Sequence, residues 1–224
     1  MQVNAQDQDF PGRLRGFGPV GILAMILIYF GNSLFTPLTA VLVLLWAKWS
    51  RTPWREIGFV RPRSWIGTVA VGFAFGIAFK FLMKAVVMPL LGADPINHAF
   101  HYLVGNQAAL PEILYIVIVS AGFGEEIFFR GFLFERLGKL FGSALWAKIL
   151  TVLLTTVWFG LEHYSLQGWV GVQHATIVGL VFGSIFAVTG RIWMLIFAHI
   201  AFDLTAVAII YWDLESAVAH LIFR

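Results

Sequence analysis

The chain has 224 residues, of which 59% are apolar and only 12% are charged. A soluble domain carries about twice this share of charged residues, so the composition excludes a soluble globular enzyme, a disordered protein and a nucleic-acid binder. With a mean hydropathy of +0.83, the chain could fill roughly six or seven apolar segments of about 20 residues. We therefore predict an all-α, polytopic transmembrane helical bundle of about seven spans (six to eight). The absence of cysteine excludes disulfides, thiolate metal sites and cysteine nucleophiles.

The first 15 residues lack a compact apolar stretch that ends in a small-residue cleavage site. We interpret them as a cytoplasmic N-terminal tail and not as a signal peptide, and residues 16–224 as one transmembrane domain. The first apolar stretch, 16–49, is interrupted by Gly31, Asn32 and Pro37, which fits either two short spans or one kinked helix. Further apolar segments cover 65–91, 111–134, 144–161, 176–189 and 192–212.

The distribution of basic residues predicts the orientation of the bundle. Lysine and arginine cluster at 13–15, 48–63, 130–148 and 191, whereas the connections 92–110 and 164–175 contain neither. Because positive loops stay in the cytoplasm, we expect the N-terminus to lie inside and these two connections outside. We expect an integral protein of a prokaryotic (inner) cell membrane. Lys80 and Lys84 share one helix face inside an apolar segment and are interpreted as snorkelling or protein-facing residues.

Charged residues inside the spans are candidates for function, because burial of a charge in a bilayer costs several kcal/mol unless it is paired or solvated. Glu126 and Arg130 are four residues apart and can form an ion pair on one helix face. Glu125 is rotated by about 100° from Glu126 and has no local partner, which suits a general base. The alternative is that both glutamates serve helix packing through salt bridges.

Two more spans carry polar pairs at helical spacing. Phe159 and His163 are four apart, as are His199 and Asp203, so each pair shares a helix face. His163 alone could be an interfacial residue. The second pair could be a structural hydrogen bond, donors to an oxyanion or ligands to a metal. Three spans that each carry such a pair can converge on one site, although residue counting places His199 at a shallower depth than Glu125 and His163.

The ordered motifs resemble those of a known family. EExxxR, FxxxH and HxxxD follow one another on successive apolar segments, at Glu125, Glu126, Arg130, Phe159, His163, His199 and Asp203. The chain resembles the CPBP family of CAAX prenyl endopeptidases and bacteriocin-processing enzymes, also called the abortive-infection family. The resemblance covers about 110–212, which would be the protease core.

The resemblance implies a glutamate-type intramembrane endopeptidase that acts on a membrane-anchored or lipidated protein or peptide. In this scheme Glu125 and His163 activate a water, and His199 and the residue at 203 stabilise the oxyanion. Glu126 and Arg130 are the supporting pair, and Phe159 accompanies His163. No nucleic-acid partner is expected.

Asp203 departs from the family pattern, which allows asparagine there. An ionised carboxylate repels an oxyanion, so Asp203 must be protonated, must orient His199 or must ligate something. No HExxH motif occurs. We expect no cofactor and favour a metal-free mechanism over a Zn²⁺ site built from the histidines and carboxylates.

Two other functions use the same buried residues. A proton-coupled transporter could use the acids as a relay, but it predicts symmetry between the halves of the chain, and none is visible in the sequence. A non-catalytic membrane scaffold could retain the same core to assist a partner protein.

Overall fold

The computed structural model describes residues 9–34 and 36–223, and these residues contain helices and turns but no strand. The predicted all-α class is therefore confirmed for the described chain. The helices are α1 (Phe10–Arg15), α2 (Pro19–Leu34), α3 (Thr36–Trp49), α4 (Trp65–Leu90), α5 (110–141), α6 (Leu145–Glu162), α7 (Tyr164–Thr189), α8 (Trp193–Tyr211) and α9 (Glu215–Ala219). Residues 1–8 of the predicted tail lie outside the described residues.

Four of these helices, α4, α6, α7 and α8, are long and apolar enough to cross a membrane. Apolar parts of α2 and α3 are shorter, and α5 differs in carrying charged residues in its middle. Large apolar side chains point outward from the helices; Ile66 and Val188 are 84% and 86% exposed. Such a surface requires lipid around it. The chain is an integral membrane protein, and its helical bundle agrees with the predicted class.

The stretch 16–49 forms two helices that pack against each other. A Cβ added to Gly31 would lie 2.8 Å from Leu42 Cδ1 and 3.3 Å from Thr39 Oγ1, so the end of α2 touches the start of α3 closely. This contact fits the interpretation of two short segments joined by a tight connection. Phe35, at the connection itself, lies outside the described residues.

Small residues bring α4 and α5 directly onto α8. A Cβ on Gly72 would meet Met194 O at 2.9 Å, and one on Gly76 would meet Ala198 O at 2.1 Å. Only glycine allows backbones to approach this closely. The residue further along α4 contacts the residue further along α8, so the two helices run parallel. Gly122 of α5 packs in the same way on the Ile200 side chain, so three helices meet around the middle of α8.

The prediction that 164–175 is a connection between spans was wrong, and its external position stays a prediction. Helix α7 begins at Tyr164, and only Gly168 interrupts it, with φ 61° and ψ −158°. That conformation is accessible to glycine and strained for other residues. The polar residues around this break resemble a loop in the sequence, but the chain kinks and remains helical.

A buried carboxylate ties the connection after α4 to the C-terminal part of the chain. Glu215 is 1% exposed and accepts hydrogen bonds from the Asn97 backbone N–H at 2.9 Å and from Lys84 Nζ at 3.3 Å. His101 Nδ1 lies 3.3 Å from its other oxygen. Lys84 also donates to the carbonyl of Pro95. Glu215 is thus the centre of a polar cluster that fixes the connection between α4 and α5.

Glu215→Gln is expected to lower the free energy of unfolding by about 2 kcal/mol, because it leaves the Lys84 ammonium mostly buried without a counter-charge. Thermal unfolding of the detergent-solubilised protein measures the change. Glu112→Gln, at an exposed acid, is the matched control and should unfold like the wild type. Equal unfolding of both variants would contradict a stabilising role for the cluster.

Candidate active site

Glu126 and Arg130 form the predicted ion pair at the centre of the bundle. Their side chains are 0% and 2% exposed, and Arg130 Nη1 donates to Glu126 Oε1 at 2.9 Å. The Arg130 guanidinium also lies over the rings of Phe159 and Phe182, at 4.7 and 5.6 Å from their centroids. These contacts compensate the burial of the charges, so the pairing part of the prediction is confirmed.

His199 is held by the same carboxylate. Its Nδ1 lies 2.8 Å from Glu126 Oε1. Because that oxygen belongs to a carboxylate paired with Arg130, we assign the proton to Nδ1, which donates to Glu126. The other ring nitrogen, Nε2, is thereby aimed at two further carboxylates. It lies 3.9 Å from Glu125 Oε2 and 3.6 Å from Asp203 Oδ2.

Both of these distances are too long for a direct hydrogen bond. A gap of this size between polar groups suits one bridging water or one substrate oxygen. The side chains of Glu125 and Asp203 are 22% and 25% exposed, so this side of His199 is more open than the Glu126 side. Glu125 Oε2 makes no hydrogen bond to any residue within 9–34 and 36–223.

Glu125 and Glu126 lie in the part of α5 that departs from α-helical winding. Ile116–Leu133 is wound as a π-helix between two α-helical ends. Departures from α-helical winding are frequent at functional sites. This segment presents Glu126 to the buried interior and leaves Oε2 of the neighbouring Glu125 without a hydrogen bond to a described residue.

His163 lies at the junction between α6 and α7, next to Phe159 as predicted. The two rings are 4.9 Å apart, and His163 Nδ1 lies 2.8 Å from the Phe159 carbonyl oxygen. Because a carbonyl only accepts, Nδ1 carries a proton, and in the neutral ring the lone pair is then on Nε2. The Phe159 ring also contacts His199 edge-on at 6.2 Å, so Phe159 connects the two histidines.

The structure thus brings the seven predicted site residues into one neighbourhood by different routes. Side-chain contacts around His199 join five of them, namely Glu125, Glu126, Arg130, His199 and Asp203. His163 is linked to them through Phe159, whose ring contacts both histidines. The catalytic roles assigned to these residues stay predictions.

Two residues beside this cluster were not predicted as part of it. Lys80 Nζ lies 3.4 Å from His174 Nε2 and 4.6 Å above the Phe202 ring. His174 was not predicted as a site residue because 164–175 was interpreted as an external connection. The sequence of 164–175 does contain a signal for a helix, because half of its residues are apolar and its glycines are compatible with a kink.

The geometry does not support a zinc site. Within residues 9–34 and 36–223, no three histidine, aspartate or glutamate side chains are arranged so that they could hold a metal ion. We therefore derive no step through a metal.

The fold and these contacts define an integral membrane protein with an ordered polar site of histidines and carboxylates in its interior. Residues 107–205 match the family model described as type II CAAX prenyl endopeptidase, Rce1-like. This match confirms, for residues 107–205, the resemblance predicted from the motifs, and it suggests an intramembrane endopeptidase. The matched range contains all seven predicted site residues. No curated protein and no solved structure matches the chain.

Proposed function

We propose that the chain is a glutamate-type endopeptidase that hydrolyses a peptide bond of a membrane-associated, prenylated CAAX-type substrate. The observation that carries the proposal is the position of His199 Nε2, which faces Glu125 Oε2 at 3.9 Å and Asp203 Oδ2 at 3.6 Å. These groups come from two helices, and one water or carbonyl oxygen lying to the side of the line between them could contact His199 Nε2 and a carboxylate together. The family of the matched domain supports the substrate class.

The proposed reaction uses a water as the nucleophile. Glu125, whose Oε2 accepts no hydrogen bond from the described part of the chain, takes a proton from the water as it attacks the scissile carbonyl carbon. The lone pair on His163 Nε2 orients the same water. The proton on Glu125 then passes to the leaving amine as the C–N bond breaks, which yields a new carboxylate and a new amine.

His199 would stabilise the negative charge that develops on the carbonyl oxygen. Its Nδ1–H bond to Glu126 fixes the ring and favours the charged imidazolium. Nε2–H then points to the space between Glu125 and Asp203, where the oxyanion would form. Of the roles open to Asp203, its distance of 3.6 Å from His199 Nε2 favours one exerted on that ring through a bridging water, because the distance is too long for a direct hydrogen bond.

The proposal includes the placement of the enzyme. The protease core would cover about 110–212 within a transmembrane domain that follows a cytoplasmic N-terminal tail. We propose a prokaryotic inner membrane, with the N-terminus inside, on the basis of the basic clusters at 13–15 and 48–63.

The test uses the purified full chain in lipid nanodiscs and a synthetic peptide with a farnesyl-cysteine followed by three apolar residues. Mass spectrometry should detect the released tripeptide with wild type and not with Glu125→Ala. Glu112→Ala, at an exposed acid of the same helix as Glu125, is the matched control and should cleave. No cleavage by the wild type, or cleavage that survives Glu125→Ala, would contradict the proposal and favour a transporter or a scaffold.

His163→Ala is expected to lower the cleavage rate by about a hundredfold, because the water loses an orienting acceptor. The same peptide assay measures it. Addition of a strong chelator to the wild type is expected to leave the rate unchanged. Inhibition that added Zn²⁺ reverses would contradict the metal-free mechanism.

A further inference from the structure

Two lysines on one face of α4 have different electrostatic partners. Lys84 Nζ lies 3.3 Å from the carboxylate of Glu215. Lys80, one turn earlier, has no carboxylate oxygen within 4.0 Å among residues 9–34 and 36–223. Asp203 is the acid whose charge acts on Lys80 most strongly, but it lies beyond that distance. Lys80 is therefore an ammonium inside the bundle without a direct counter-ion.

The Lys80 side chain is nevertheless held in place. An ammonium can only donate, so His174 Nε2 accepts from Nζ at 3.4 Å and the His174 proton sits on Nδ1. The Phe202 ring supports both groups, with Lys80 Nζ 4.6 Å and the His174 ring 5.5 Å from its centroid. The ammonium keeps two further N–H donors, and a charge at this depth is stable only with a partner or water.

Lys80 lies next to the proposed reaction centre. Phe202, under the ammonium, directly precedes Asp203, which is 3.6 Å from His199 Nε2. Gly76, one turn before Lys80, packs on the Ala198 backbone. The close packing of α4 on α8 thus holds the ammonium on the Phe202 ring, whose neighbour in sequence, Asp203, belongs to the proposed site.

We propose that Lys80, positioned by His174, binds the C-terminal carboxylate of the peptide substrate. The inference rests on the proposed function. Cleavage after a prenylated cysteine leaves three residues between the scissile bond and the C-terminus, and an extended segment of three residues spans up to about 10 Å. A carboxylate at that distance supplies the missing counter-ion, in a charge-assisted hydrogen bond with the ammonium. The enzyme would then select substrates whose chain ends three residues after the prenylated cysteine.

The experiment compares two farnesylated peptides of the same sequence, one with a free C-terminal carboxylate and one with a C-terminal amide. Binding is measured in nanodiscs with Glu125→Gln, which slows cleavage and keeps the side-chain shape. The free acid is expected to bind about tenfold more tightly than the amide. Adding Lys80→Met should remove this difference, because it weakens the binding of the free-acid peptide and leaves that of the amide unchanged. Lys80→Arg should preserve the difference. Lys84→Met is the matched control on the same helix face and should also preserve it.

Equal binding of the acid and the amide to Glu125→Gln would overturn the inference. An equal loss of affinity for both peptides when Lys80→Met is added would also overturn it. If a further Asp203→Asn substitution then restored binding, Lys80 would be a counter-charge for Asp203. Cleavage of the acid peptide by the wild type is measured in parallel. A binding preference without cleavage refutes the proposed function alone, and cleavage without a preference refutes the carboxylate site alone.

Discussion

Glu125→Gln is expected to lower kcat for peptide cleavage by about a thousandfold, because the amide cannot accept a proton from the attacking water. The melting temperature should stay close to that of the wild type, since Glu125 Oε2 makes no hydrogen bond to a described residue. The amide has nearly the same shape, so substrate binding should persist. Single-turnover kinetics with the farnesylated peptide, together with thermal unfolding, separate the two effects.

The adjacent glutamate provides the comparison. Glu126→Gln should lower thermal stability as well as activity, because it removes the charge that Arg130 and His199 share. A Glu125→Gln variant that retains more than a tenth of the wild-type kcat would contradict the assignment of Glu125 as the base. A loss of activity that only follows a loss of folded protein would contradict it as well.

Arg130→Met is expected to lower the free energy of unfolding by about 3 kcal/mol, because it leaves the fully buried Glu126 carboxylate with the His199 ring as its one remaining described side-chain partner. Glu126 is 0% exposed and has no second cation from lysine or arginine within 4.0 Å in the described chain. Loss of the contacts between the guanidinium and the rings of Phe159 and Phe182 adds to the effect. Thermal unfolding and the yield of monodisperse protein in detergent measure the change.

The double variant Glu126→Gln/Arg130→Met tests the cause of that loss. With both charges removed, no unpaired ion remains in the core, so stability should recover in part. Its activity should remain low, because His199 has lost the anion that favours its charged form. A double variant no more stable than Arg130→Met would show that the pair is held for packing and not for charge balance.

Contacts within one helix could be predicted from the sequence. The pair of Glu126 and Arg130 follows from a spacing of four residues, as does the contact of Phe159 with His163. The all-helical membrane fold follows from composition, since few charged residues are available to cover a soluble core. These features depend on residue spacing within one helix and on the share of apolar residues, and both can be read directly from the sequence.

Contacts between helices could not be predicted in this way. His199 contacts Glu126 across 73 residues, although residue counting placed it shallower. Its depth depends on how closely α8 approaches its neighbours, which the glycines at 72, 76 and 122 determine. Lys80 contacts His174 across 94 residues, and a kink at Gly168 that resembled a loop concealed this contact.

Hydrolysis of the farnesylated peptide in H₂¹⁸O under single-turnover conditions, followed by mass spectrometry of product and enzyme, tests direct attack by a Glu125-activated water. We expect one ¹⁸O atom in the new product carboxylate and none in the enzyme peptide that contains Glu125. An unlabelled product together with ¹⁸O in Glu125 would contradict the account, because it would mean that the glutamate itself attacks the carbonyl and forms a covalent intermediate.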